Sequence, residues 1–177
     1  MPAPNSASSL SSHLVQPQDW PAVRKVTLQM LADAPHAFGE PLAEAQARTT
    51  QEWQQWAKQL ADPMQGCAYL AEDSQGACGF VRVDTIVPQF PPGAALAAQL
   101  WVAPRQRGTG LGRKLMDAVT HWAAERGARQ MFLGVLETNP SVVKFYEHLG
   151  YRDTGLREQT SGDAPRQIII MARRLKP

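Results

Sequence analysis

Cysteine is scarce in this sequence: Cys67 and Cys78 are the two among 177 residues. Both lie in apolar, strand-like runs. That excludes a disulfide-built scaffold and reads as two buried free thiols in a cytoplasmic protein. Nothing near either residue would activate a thiol. A strong excess of one charge is also missing. Eighteen Lys and Arg face 16 Asp and Glu, for a net charge of +2, too small an excess for a nucleic-acid binder. No apolar run approaches the ~20 residues that a membrane span needs, so no membrane partner is expected. Residues 1–13 lack the apolar centre of a signal peptide; rich in Ser, Pro and Ala, they read as a disordered tail. No His, Cys and Asp cluster has metal-ligand spacing, so no metal is expected. Internal repeats are absent. The rest, 14–177, is long enough to bury a core and reads as a single domain.

The elements follow from periodicity and punctuation. His13-Leu14-Val15 begins a short strand. Asp19 suits a helix N-cap, with Val23, Val26 and Met30 on one buried face. Pro35, Gly39 and Pro41 predict that this helix stops and that a loop follows through Ala47. Thr49-x-x-Glu52 is a capping-box pattern, and Trp53, Trp56 and Leu60 continue from it at helical spacing. The two tryptophans read as core. Cys67–Glu72 and Cys78–Val87 form a hairpin around Asp73-Ser74-Gln75-Gly76. Three prolines and a glycine stiffen Pro88–Gly93 before a strand over Ala95–Val102. A helix buries Leu111, Leu115, Ala118 and Trp122 and stops at Gly127. Gln130–Leu136 is a strand. Asn139-Pro140 starts a short helix that ends at Gly150. Strands Tyr151–Glu158 and Gln167–Arg174 flank a loop at Ser161-Gly162-Asp163.

The most informative stretch joins the Leu100–Val102 strand end to the helix at Leu111. Glycines stand at 108, 110 and 112, with Arg105, Arg107, Arg113 and Lys114 around them and no acid between Ala103 and Met116. Such a turn aims successive backbone N–H groups, and the positive end of a helix dipole, at one spot that suits phosphate. A triphosphate-binding P-loop requires Gly-Lys followed by Ser or Thr, but Gly112 precedes Arg113-Lys114-Leu115. A dinucleotide fingerprint starting from Gly108 requires glycine at 113, which is arginine. Arg105 is open to two readings, a solvated surface charge or a phosphate contact.

Arg105-x-x-Gly108-x-Gly110, preceded by Val102-x-Pro104 and followed by Gly112, resembles the acyl-coenzyme A signature of the GNAT superfamily of N-acyltransferases. Asn139-Pro140-Ser141-Val142-Val143-Lys144-Phe145-Tyr146-Glu147-His148-Leu149-Gly150-Tyr151 resembles that superfamily's later Asn…Tyr…Gly-aromatic segment. The resemblance implies an α/β (α+β) GNAT fold. Its central sheet is mixed, mostly antiparallel, of six to seven strands, and is flanked by about four helices. It implies acetyl transfer from acetyl-CoA to an amine of a small-molecule acceptor by direct attack on the thioester. A protein or peptide N-acetyltransferase and a non-catalytic acyl-CoA sensor are the alternatives, and a homodimer is left open. Carried over by position, the backbone around Arg107, Gly108, Thr109, Gly110, Leu111, Gly112 and Arg113 would hold the cofactor's phosphates. Leu100, Trp101 and Val102 would pair with its pantetheine arm, Asn139 would contact that arm, and Tyr146 would be the acid for the leaving thiolate. The resemblance also puts acceptor contacts in the loop after the first helix, at His36 and Phe38. Members of the superfamily often place a glutamate on the strand before or after the glycine loop. Leu96 and Gly134 stand there instead, with Gln99 and Glu137 nearby, so water is expected to relay the proton.

Overall fold

The computed structural model describes residues 10–160 and 164–176. The expected tail over 1–9 and the expected loop at 161–163 lie outside these residues. One seven-stranded sheet runs in the order β1-β2-β3-β4-β5-β7-β6. Its strands are β1 (Ser11–Leu14), β2 (Gly66–Asp73), β3 (Gly76–Asp84), β4 (Ala94–Val102), β5 (Gln130–Leu136), β6 (Arg152–Gln159) and β7 (Gln167–Arg174). The β4–β5 pair is parallel and every other pair is antiparallel. The helices are α1 (Trp20–Asp33), α2 (Leu42–Ala47), α3 (Thr50–Leu60), α4 (Leu111–Glu125) and α5 (Pro140–His148). This is the expected fold class, with two corrections. Ser11, Ser12 and His13 are not tail: they pair with Glu72, Ala71 and Leu70 of β2. The expected loop before Thr49 contains α2, whose Leu-Ala-Glu-Ala-Gln-Ala run forms helix readily and buries Ala45 completely. Pro41 does not break it, because it precedes the first turn, where no N–H is needed.

Helices cover both faces of the sheet. Alternate residues of β3 point to opposite sides, and Cys78, Gly79, Phe80 and Val81 are all buried. A Cβ on Gly79 would lie 3.0 Å from a Leu115 methyl and 3.1 Å from a Leu111 methyl, so α4 packs close on that face. On the other face the Arg82 guanidinium lies 5.6 Å from the Trp56 ring of α3. The capping box is present, with Glu52 N–H donating to Thr49 Oγ1 at 3.3 Å and Thr49 N–H donating to a Glu52 carboxylate oxygen at 2.6 Å. Trp53 is 1% exposed and belongs to the main core. A second apolar cluster joins Val87, Ala94, Phe132 and Ile170. Phe90 of the proline-rich loop stacks on Phe132 with ring centroids 4.3 Å apart, which fastens that loop to β5. Among the described residues no helix is long and apolar enough to cross a membrane.

Cys67 and Cys78 are buried and unpaired. Burial pushes the Cys67 thiol up to about 12 and the Cys78 thiol up to about 11. A group whose folded pKa is raised stabilises the fold below its unfolded value, ~8.5 for cysteine, and that contribution fades as pH climbs toward the folded value. The melting temperature is therefore expected to hold from pH 7 to 8.5 and to fall steadily above about pH 9. Replacing both cysteines with alanine should flatten the fall between pH 9 and 10, as thermal unfolding by circular dichroism would report.

Candidate active site

Parallel pairing between β4 and β5 lasts for three residue pairs, Ala94↔Gln130, Ala95↔Met131 and Leu96↔Phe132. Beyond it each strand keeps only its outer neighbour. β4 stays on β3 as far as Val102, and β5 stays on β7 as far as Leu136. The facing edges diverge into a cleft of about 760 Å³. Within β4, the three steps from Ala98 to Trp101 face two steps, Arg82 to Phe80, on β3. The extra residue makes a bulge at Gln99, whose φ of 57° lies in the left-handed region. A non-glycine residue held there is strained. The bulge re-aims the β4 edge at the mouth of the cleft.

The glycine loop forms one end of the cleft. A 3₁₀ turn over Pro104–Gln106 leads into Gly108 (φ 78°) and Gly110 (φ 88°), and Gly110 caps α4. A Cβ on either glycine would meet nothing within 4 Å. Backbone conformation and open space for a ligand thus explain these glycines better than packing does. Gly112 differs, since its Cβ would lie 3.3 Å from Phe145 Cζ of α5 and 3.6 Å from a Val102 methyl. The first helical bond runs from Lys114 N–H to Gly110 C=O at 3.1 Å. The N–H groups of Gly108, Gly110, Leu111, Gly112 and Arg113 have no backbone partner among the described residues. Five free donors at the positive end of a 15-residue helix are an arrangement that can seat an anion.

The opposite wall is α5. Asn139 caps it, its side-chain oxygen accepting from Val142 N–H at 3.4 Å and from Ser141 Oγ at 3.0 Å. Tyr146 lines the cleft and is 8% exposed, packed edge-on against Phe145 and Tyr151. Its hydroxyl has no hydrogen-bond partner among the described residues. Burial pushes the phenol well above the usual tyrosine range, so it stays protonated.

The cleft wall contains Leu100, Trp101, Val102, Arg107, Gly108, Gly110, Leu111, Gly112, Arg113, Asn139, Tyr146 and Phe38. The fold therefore gathers residues that lie far apart in sequence. Thr109 is not on the wall; its hydroxyl turns back to donate to Gln106 C=O at 2.7 Å. His36 is exposed and also lies off the wall. Arg105 faces away from the cleft and clamps Asp73 in the β2–β3 turn, with Nε donating at 2.9 Å and Nη2 at 3.0 Å. That clamp, with an added bond from Gln106, holds the Asp73 carboxyl well below the usual carboxylate range. Of the two positions where the superfamily often carries glutamate, one is taken up by packing and the other lies on the cleft wall. Leu96 packs against the second apolar cluster, and a Cβ on Gly134 would fall 2.8 Å from an Ile168 methyl. Sequence reasoning missed one carboxylate on the wall, Asp33 at the end of α1. It accepts from Trp101 Nε1 at 2.9 Å and from the Arg107 guanidinium. Among the described residues no three His, Cys, Asp or Glu side chains group as metal ligands.

A family model described as the acetyltransferase (GNAT) family matches residues 28–151. The chain belongs to this family. Two curated relatives match over short stretches. A thialysine N-epsilon-acetyltransferase of Sus scrofa is 39% identical over 54 residues, 30% of this chain and 32% of that protein. A streptothricin acetyltransferase of Streptomyces lavendulae is 40% identical over 55 residues, 31% of this chain and 29% of that protein. The matched stretch thus spans about a third of each relative. Whole-chain likeness is structural. The Salmonella typhimurium protein yncA, solved with its cofactor acetyl-CoA, superposes with a TM-score of 0.74 at 16% identity, covering 96% of both chains. A Vibrio cholerae spermidine N-acetyltransferase, solved with CoA and spermine, gives 0.72 at 17% identity, over 94% of this chain and 95% of that one.

The glycines of this GNAT loop should separate by their neighbours. Gly112→Val drives a branched side chain at Phe145 and should cost about 1–3 kcal/mol of stability through overpacking. Gly108→Ala meets no atom and should cost only the left-handed backbone term, about 1–2 kcal/mol. Urea unfolding of both variants measures the two losses, and a loss above about 2 kcal/mol is expected only for Gly112→Val.

Proposed function

We propose that the protein transfers an acetyl group from acetyl-CoA to an amine of a small-molecule acceptor. The carrying observation is the convergence on one cleft of five unpaired loop N–H groups, an unpaired β4 edge and a buried neutral phenol. The donor set fits acetyl-CoA. The loop N–H groups, with Arg107 and Arg113 beside them, would hold a diphosphate. The edge over Leu100, Trp101 and Val102 has no partner strand on this side and would offer an amide chain backbone hydrogen bonds, with the Val102 C=O shared with Arg107 Nε. Asn139 would contact that chain. When bound, acetyl-CoA supplies a thioester carbonyl open to attack by an amine. The two buried thiols fit a reducing, cytoplasmic setting.

The residues then have to manage two protons. A primary amine has a pKa of ~10.4, so about one molecule in a thousand is neutral at pH 7, a deficit of about 4 kcal/mol. No carboxylate on β4 or β5 reaches the cleft wall to act as base, and Asp33, from α1, is tied to Trp101 and Arg107; water carries this proton out. Tyr146, kept protonated by burial, holds a proton at its phenol oxygen for the leaving thiolate. With a thiol pKa of ~8.5 that thiolate leaves fairly well unaided, and the acid adds ~10²- to 10⁴-fold at most.

Mixing the protein with acetyl-CoA and a panel of small amines should release free thiol with at least one of them. Thermal stabilisation by CoA without turnover of any amine would favour a sensor. Tyr146→Phe should lower kcat by about 10²-fold, with CoA affinity within twofold of wild type. Unchanged turnover would remove Tyr146 from the chemistry. In the wild type, log kcat/KM for the amine should rise with near unit slope from pH 6 to 9. A plateau between pH 6 and 8 that one carboxylate variant abolishes would overturn the water route.

A further inference from the structure

Asp33 is the one carboxylate on the described cleft wall, and it is already engaged. Trp101 Nε1 donates to its Oδ2 at 2.9 Å, and the Arg107 guanidinium donates to the same oxygen. Oδ1 has no hydrogen-bond partner among the described residues, and the Asp33 side chain is 27% exposed. Trp101 is 5% exposed, so its indole fixes the carboxylate from the core side. Arg107 is the exposed half. Its side chain is 53% exposed, and Nε is tethered to Val102 C=O at 3.1 Å. Arg107 directly precedes the seat at Gly108–Arg113 and shares its cleft wall. A diphosphate in the seat competes with the carboxylate for one guanidinium.

We propose that Asp33 is a charge reader for the acceptor, shielded by Arg107 until the donor's diphosphate takes that guanidinium. The inference rests on the acetyl-transfer reading. The attacking nitrogen must be neutral to react, so a charge held by Asp33 during reaction belongs to a second cationic group. The acceptor class is therefore a compound with a second positive group besides the reacting amine. Ala34, Ala37 and Phe38, which follow Asp33 on the same wall, give its carbon chain an apolar surface. The ion pair also makes the two sites interdependent. Filling the diphosphate seat uncovers the carboxylate that the acceptor needs.

The donor half is tested with CoA alone, by calorimetry. Asp33→Asn keeps an acceptor for the Trp101 indole and removes the charge that competes for Arg107. It should bind CoA about two- to fivefold more tightly than wild type, the worth of a partly exposed ion pair. Arg107→Ala should bind more weakly, and adding Asp33→Asn to Arg107→Ala should change nothing further. Weaker or unchanged CoA binding by Asp33→Asn would mean that Asp33 merely holds Arg107 in place, and the shielding idea falls. The acceptor half uses 1,4-diaminobutane and n-butylamine with saturating acetyl-CoA. Asp33→Asn should raise KM for the diamine about tenfold, with kcat within twofold, and leave the monoamine unaffected. Equal effects on both amines overturn charge reading, as does wild-type preference for butylamine. Wild type that acetylates neither probe also overturns it. Loss of turnover across the wider amine panel would instead sink the acetyl-transfer reading, and the CoA measurements would still decide the shielding.

Discussion

Everything at the cleft depends on where β4 and β5 stop pairing. Three parallel pairs hold the strands together at Leu96 and Phe132, and then each strand follows its other neighbour. Sheet hydrogen bonding makes an unpaired interior edge costly unless something else takes the backbone groups. Here the edge opens onto a space bounded by the glycine loop and α5. The closed end of the wedge is fixed by packing: Phe90 stacks on Phe132, and Ile168 and Ile170 fill the space beside Gly134. The gap is thus held open by elements that never touch it.

The same packing accounts for the departure from the glutamate-bearing members of the superfamily. A carboxylate at position 96 would have to displace an apolar cluster that keeps the wedge closed at its base, and one at 134, on the cleft wall, would have to push the Ile168 side chain aside. The acidic group of the cleft comes instead from α1. It is fixed by an indole on β4, which couples the first helix to the bulged strand across 68 positions of sequence.

What was legible in the sequence followed local rules. Gly108 and Gly110 could be read because only glycine sits easily at their positive φ values. Asn139-Pro140 and Thr49-x-x-Glu52 could be read because caps are made within four residues. Other features left no local mark. The bulge is built on Gln99, whose type gives no hint of a left-handed backbone. Asp33 ends an ordinary amphipathic helix, and its partners, 68 and 74 residues away, exist only in the folded chain. Helix α2 was hidden by the proline and glycine in front of it. The start of β1 at Ser11 was hidden by a polar run that pairs through its backbone alone.

The Arg105–Asp73 clamp changes how the basic character of the glycine loop should be counted. Four cationic side chains cluster there in sequence, but Arg105 is already neutralised by an acid from the β2–β3 turn, and Lys114 is not on the cleft wall. Among the described residues Arg113 is left without an acidic partner to face a polyanion, and Arg107 is shared with Asp33. Much of the attraction then comes from fixed backbone dipoles, which bring no mobile counterions of their own to release. On the proposed reading, donor capture at this loop should consequently depend on ionic strength far less than four clustered cations suggest.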